Sequence, residues 1–412
     1  MLFLIGVVAF ALGILISVSL HEAGHMVTAK AFGMKVTKYF VGFGPTIWSF
    51  KRGETEYGLK GIPLGGFCKI VGMTPQDDDV DPADQPRVMW KYPVWKRTIV
   101  MGAGSVTHFL LAIVALWLAA IFMGLPNPAI EKPQPAYVKI TDCVIVGATV
   151  NRDCVPGDPA SPAKQAGLRD DDKITAVNGV PVATYADLVN EIRKLPPNSQ
   201  ATVNYQRDGA DQQVNVNLAS VQRPPVGDPD GPVTAVSALG VAGPNLPPGM
   251  PTMVKYNPVE AFPATADYTG QLAVGTVQSL QRLPQKIPAL WDAVTGEPRD
   301  ADTPISVVGA SRLGGEAAQH GLWEIFVLLF VSLNFFIGVF NLLPLLPLDG
   351  GHIAIAWFER ARSWVFARLG KPDPGRVDYF KLMPVTYAVI LIGGAFTLLT
   401  ITADIINPIT LF

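Results

Sequence analysis

Charge is scarce in this chain: 16% of its 412 residues are Asp, Glu, Lys or Arg, against 49% hydrophobic, and the formal net charge is -2. That balance provides no basic field to attract nucleic acid and no acidic tail to keep an extended chain in water. Cysteine is scarcer still, at three residues, which excludes a small scaffold built on disulfides. With only five histidines, any metal site made of imidazoles has few candidates. What is plentiful is apolar sequence, and the positive mean hydropathy points to a membrane protein.

Uncharged runs long enough to cross a hydrocarbon core of roughly 30 Å occur at Met1–Leu20, Thr98–Leu125, Ile325–Leu348 and Leu382–Ala403. The first has no basic flank and no small-x-small cleavage site, and it runs straight into His21-Glu22, so it is expected to be retained as a helix. Eleven of the 32 Lys and Arg residues fall between Lys30 and Arg97, and six between Asp349 and Lys381. Both of those short loops are therefore expected in the cytoplasm, with the termini and the long 126–324 segment outside. The predicted architecture is an α-helical polytopic membrane protein with four transmembrane helices. Span one occupies 1–31, a loop region 32–97, span two 98–125, span three 325–348, a cytoplasmic loop with a surface helix 349–381, and span four with the C-terminus 382–412.

Proline clusters, Pro126 to Pro135 and Pro224 to Pro248, bracket a domain within the external segment 126–225, with its core at about 137–220; linker and amphipathic helices are expected over 226–324. Asn178-Gly179 between β-rich runs signals a hairpin, Thr184 a helix start, and Ala201–Tyr205 and Gln213–Leu218 closing strands. The run from Ser161 to Val182 (S-P-A-x-x-A-G-L, D-x-I, V-N-G-x-P-V) resembles an inserted α+β PDZ domain of the bacterial periplasmic type. The resemblance implies a groove that takes extended peptide by strand addition. Cys143 and Cys154 sit where such a domain's carboxylate loop would be, and spacing leaves open whether they form a disulfide or are two unrelated thiols. Thr303–Gly309 reads as an interfacial turn.

His21-Glu22-Ala23-Gly24-His25 places two imidazoles one helical turn apart on one face, able to share a cation, with Glu22 directed at water beside it. At the end of a membrane span such a polar pair is costly unless ligated, so it is functional by default. Catalytic zinc wants three protein ligands and one open position. The candidate third ligand is Asp349, at the end of an apolar span and followed by Gly350-Gly351, where Pro344 and Pro347 break the helix. Asp349 is expected on irregular backbone with the two glycines forming a tight turn.

H-E-x-x-H in span one, N-x-x-P-x-x-x-x-D-G from Asn341 to Gly350, and the PDZ-like insertion between spans two and three resemble the site-2 protease family, particularly its bacterial anti-sigma-factor-cleaving branch. The likeness covers essentially the whole chain. It implies an intramembrane metalloendopeptidase with one Zn2+ per chain held by His21, His25 and Asp349, and Glu22 as general base. It also implies that Asn341 hydrogen-bonds substrate backbone or the developing oxyanion, and that the glycine-rich region after span one, including Gly65 and Gly66, forms a re-entrant β-hairpin offering an edge strand to substrate. The implied partners are the lipid bilayer of a bacterial plasma membrane, a single-span substrate of the anti-sigma type, and an upstream site-1-like protease. Two departures stand out: the second proline of the span-three motif comes one place late, at Pro347, and His108 stands where the family commonly has asparagine in span two. His108 is expected either to support the metal ligands or oxyanion, or to be a buried histidine with a backbone partner. His352 reads as a supporting or structural group and His320 as an ordinary external residue. The rival reading is a catalytically silent, PDZ-bearing membrane scaffold, against which the intact Glu22 argues.

Overall fold

The computed structural model describes residues 1–73, 80–130, 132–146, 154–226, 231–243 and 245–411; Asp77, Asp78 and Asp79 of the acidic run in the first loop lie outside them. The chain starts with helix α1 (Leu2–Ala31), which continues unbroken from the apolar run through His25, then strands β1 (Val36–Arg52) and β2 (Thr55–Ile70) and helix α2 (Val94–Phe122). A separate strand-rich unit spans Leu125–Val254. It contains β3 (Lys173–Val177), α3 (Tyr185–Lys194), β4 (Gln200–Arg207), β5 (Ala210–Asn217), β6 (Ala219–Arg223) and β7 (Thr234–Ala238). Helices then resume with α4 (Ala261–Thr295), α5 (Val307–Gln319), α6 (Trp323–Asn341), α7 (Asp349–Arg368) and α8 (Tyr379–Ile406). Among the described residues, α1, α2, α6 and α8 are the four helices long and apolar enough to cross a membrane.

In the helical unit, small residues let backbones come close, which is how apolar helices pack where lipid offers no hydrophobic drive. A Cβ on Gly6 of α1 would meet Ala318 Cβ of α5 at 2.6 Å, and one on Gly24 would meet Thr107 Oγ1 of α2 at 2.5 Å. Phe10, fully buried, fills the groove beside Gly314 and meets Phe326 edge-on at 5.2 Å. Helix α5 takes over Val307–Gly309, the last part of the turn expected over Thr303–Gly309; the first part stays outside the helix, with Thr303 N donating to Asp300 O at 3.1 Å. Ser306 caps the helix, accepting from Val308 N at 3.1 Å, and its glycine and alanine face is buried. Its start is tied to α8: Asp404 accepts from Ser306 N at 2.6 Å and from Gly309 N at 3.2 Å. Arg299 pairs with Asp404 at 2.8 Å, both side chains 1% exposed.

Helix α6 ends at Asn341, short of the end of its apolar run, because Pro344 and Pro347 cannot donate to a continuing ladder. The backbone at Asp349 differs from expectation. Asp349 is the first residue of α7, and Gly350 and Gly351 are buried in that helix's first turn rather than forming a tight turn. A Cβ on Gly351 would lie 2.7 Å from the Leu345 carbonyl carbon, so the glycines serve close packing against the preceding loop.

Strands β1 and β2 form one two-stranded sheet that doubles back on itself. Val36–Val41 pairs with Gly66–Ile70 on one side and Glu56–Leu59 on the other, while Thr46–Arg52 pairs with 55–60. Tyr39 ties the sheet to α1 by donating to Ser19 O at 2.7 Å.

Within the strand-rich unit, a sheet runs in the order Val180–Pro181, β3, β4, β5. Asn178 (φ 49°) and Gly179 (φ 80°) are both left-handed, forming the tight hairpin that the Asn-Gly pair signals. Thr184 and Asp187 cap α3 reciprocally. Leu188 and Ile192 of α3 pack on Ile174, Val203 and Val216 of the sheet, and Asp172, 1% exposed, is paired with Arg207 at 2.7 Å. Cys143 and Cys154 are joined by a disulfide; Cys68 is a free thiol. A groove of about 350 Å³ lies between α3 and β7, lined by Tyr185, Leu188, Ile192, Val236, Leu239 and Arg193.

Candidate active site

Helical spacing stacks His21 and His25 on one face of α1, and both are buried, at 6% and 5% exposed. Their Nε2 atoms are 3.1 Å apart. The start of α7 brings in Asp349 Oδ2, 3.3 Å from His21 Nε2 and 3.4 Å from His25 Nε2. Three potential ligand atoms thus lie within 4.8 Å of one another.

The chemistry of this set fits a cation. His25 Nδ1 donates to Val100 O at 2.7 Å, which leaves Nε2 as a bare lone pair facing the others. Asp349 Oδ2 is buried with no hydrogen-bond partner among the described residues. Such a convergence of acceptors is unfavourable by itself and needs positive charge at its centre. Tetrahedral zinc with bonds of about 2.0–2.2 Å requires ligand atoms about 3.3 Å apart, the spacing found here. Gly104 of α2 makes the room: a Cβ there would stand 2.5 Å from His25 Nε2 and 2.6 Å from His21 Nε2.

Glu22, one residue on from His21, faces β2. A Cβ on Gly66 would lie 3.4 Å from its Cγ. The Gly66–Ile70 stretch therefore passes beside Glu22 as the outer run of the sheet, its only strand partner among the described residues being Val36–Val41. Gly65, in left-handed backbone (φ 111°), bends the chain into that run.

Asn341 is the last residue of α6 and half-buried. His352 lies outside the cluster, with Nδ1 3.4 Å from the Tyr379 hydroxyl. His108, 1% exposed, is not part of the cluster either; its ring centroid is 5.0 Å from that of His21. Its Nδ1 contacts side chains rather than a backbone group, namely Ser17 Oγ and Asn334 Oδ1, each at 2.9 Å. Ser17, Asn334, Gly104 and Val100 escaped the sequence reading. The available signal was a serine and an asparagine within largely apolar spans, Ser17 four residues before His21.

The profile of Peptidase family M50 matches residues 9–370 of the chain. Two similar proteins are both named Zinc metalloprotease Rip1. The one from Mycolicibacterium smegmatis is 45% identical, with 100% of each chain covered, and the one from Mycobacterium tuberculosis is 43% identical, again with 100% of each chain covered. A match over most of the sequence, four membrane-type helices and a cation-ready cluster agree, and the chain belongs to peptidase family M50, the site-2 proteases, as a membrane zinc metalloprotease.

Proposed function

We propose that the chain hydrolyses peptide bonds in or near the transmembrane segment of single-span regulatory proteins of the anti-sigma-factor type, with His21, His25 and Asp349 holding one zinc ion and Glu22 as general base. The observation that carries this reading is the convergence of three ligand atoms within 4.8 Å at the ends of apolar helices, with Glu22 lying between that cluster and a strand edge. Bound zinc supplies Lewis acidity, polarising the scissile carbonyl and lowering the pKa of the attacking water. Glu22 accepts the proton of that water and later returns it to the leaving amine. The Val100 carbonyl fixes the His25 ring, and Asn341 hydrogen-bonds substrate backbone or the developing oxyanion.

A transmembrane helix hides its amides in its own hydrogen bonds, so substrate must be unwound locally and its freed backbone given partners. We assign that role to a re-entrant hairpin made of β1 and β2, whose outer run at Gly65 and Gly66 accepts substrate as an added strand beside Glu22. The sheet order of the strand-rich unit and its apolar groove support reading it as a PDZ domain that gates access, so that substrates are first shortened by a site-1-like protease. The lysine and arginine distribution supports a bacterial plasma-membrane topology with this domain outside and the site near the cytoplasmic face. Arg362 stacks over Phe358 and Arg368 over Trp364, which suits a surface helix in contact with lipid headgroups.

The test is reconstitution with a single-span substrate. Glu22→Gln should keep its zinc and lose cleavage by a factor of roughly 10²–10⁴; equal cleavage by both forms would end the reading. Asp349→Ala should lose zinc, and unchanged zinc content would remove it from the ligand set.

A further inference from the structure

Ser17 of α1, His108 of α2 and Asn334 of α6 form a polar knot inside three apolar helices, each 1% exposed. Its proton positions can be deduced. Asn334 Nδ2 donates to Phe330 O at 2.8 Å, so Oδ1 is the end turned toward Ser17 and His108. Ser17 donates its single proton to that oxygen. His108 Nδ1, 2.9 Å from both Asn334 Oδ1 and Ser17 Oγ, therefore faces two acceptors and must carry the hydrogen. In the neutral ring this leaves Nε2 as a bare acceptor, and Nε2 is buried without a partner among the described residues.

His21 presents the complementary deficit. With Nε2 turned to the cluster, its neutral ring carries hydrogen on Nδ1, and Nδ1 too is buried without a partner among the described residues. A ligating histidine normally donates its other N–H to something that fixes the ring. His25 does so, to Val100, and His21 does not. The two rings are 5.0 Å apart between centroids and tilted by 46°, a separation that one bridging water between the two nitrogens can span.

We propose that His108 Nε2 is the acceptor for the Nδ1–H of His21, so that Ser17, Asn334 and His108 act as a positioning relay that fixes the ring of a zinc ligand from two neighbouring helices. This rests on His21 being a ligand, as set out under the proposed function. The relay explains why a histidine serves at 108: the position needs a donor toward Asn334 and an acceptor toward His21 on opposite sides of one side chain. Its effect is on metal geometry and affinity, and through them on turnover.

The experiment uses the full chain purified in detergent. Zinc affinity is measured by competition with a chromogenic chelator, and site geometry by the visible spectrum of the Co2+-substituted protein. His108→Leu should weaken zinc binding 10–100-fold and shift the cobalt bands. His108→Gln, whose amide supplies both donor and acceptor, should recover most of the affinity. Asn334→Leu, which frees His108 to turn, should weaken binding about tenfold. Folded His108→Leu with wild-type affinity and an unchanged cobalt spectrum would overturn the proposal. Should that variant not fold, an unchanged spectrum and affinity in Asn334→Leu would do the same. Asp349→Ala is the control: if it retains zinc, the ligand assignment fails, whereas zinc loss there with wild-type binding in His108→Leu means the relay alone fails.

Discussion

Gly104 sets how closely α2 can approach the histidine pair, and its missing side chain is as much a part of the site as the imidazoles. Gly104→Ala places a Cβ 2.5 Å from His21 Cε1 and His25 Nε2. Alanine favours helix, so the fold should survive while the ligands are pushed apart. Zinc content should fall and cleavage drop about 10²-fold or more, read by elemental analysis and a reconstituted assay. Cys68 gives a prediction in pH. Burial, reinforced by the Glu22 carboxylate, pushes its thiol up to about 12. A raised thiol pKa means the neutral form dominates below it, so maleimide labelling at pH 7.5 should run at roughly a thousandth of the rate of an exposed cysteine. The rate should climb about tenfold per pH unit, and unfolding should abolish the protection. His21, Glu22 and His25 were legible because their geometry is local to one helix, and Asp349 because it is a carboxylate followed by two glycines at the end of an apolar run. Ser17, Asn334 and Gly104 were not, because their roles depend on which faces of α1, α2 and α6 meet.

Among elements, α5 shows where local pattern misleads. Pro304, Ser306 and Gly309 read as part of a turn, yet from Val307 onward the Ser306 cap and burial against α1 make a helix, and tertiary contact outweighs propensity. Its anchor is the Arg299–Asp404 pair, whose polar groups are met by Thr303, Pro304, Ser306 and Gly309. Removing one partner leaves a buried charge unpaired. Asp404→Ala should cost roughly 3–5 kcal/mol, visible as a lowered thermal midpoint in detergent, whereas a change on the scale of an exposed pair would contradict the burial. The Asn-Gly hairpin and the capped α3 were readable because two or three adjacent residues specify them. The doubled pairing of β1 with β2 was not, since register there depends on contacts between distant runs.

At the scale of the molecule, the first proline cluster lies at the start of the strand-rich unit, whereas the second, expected to be a linker after 225, lies inside it: β7 pairs with β6, and Leu239 belongs to the unit's core. That unit has its own hydrophobic core. Leu125–Val254 expressed alone in an oxidising compartment should fold and melt cooperatively, and reducing Cys143–Cys154 should lower its stability by about 2–3 kcal/mol. A molten, dye-binding product would show that it depends on the rest of the chain.

The cluster draws two of its members from α1 and the third from α7, far later in the order of synthesis. At roughly 5–20 residues per second, His21 and His25 wait tens of seconds on the ribosome before Asp349 exists. On the proposed ligand set, this zinc metalloprotease is thus incomplete until α7 has been made. Truncated products that end before α7 carry the whole H-E-x-x-H motif and still lack the third arm of the cluster, and on the proposed ligand set they should bind no zinc and show no activity.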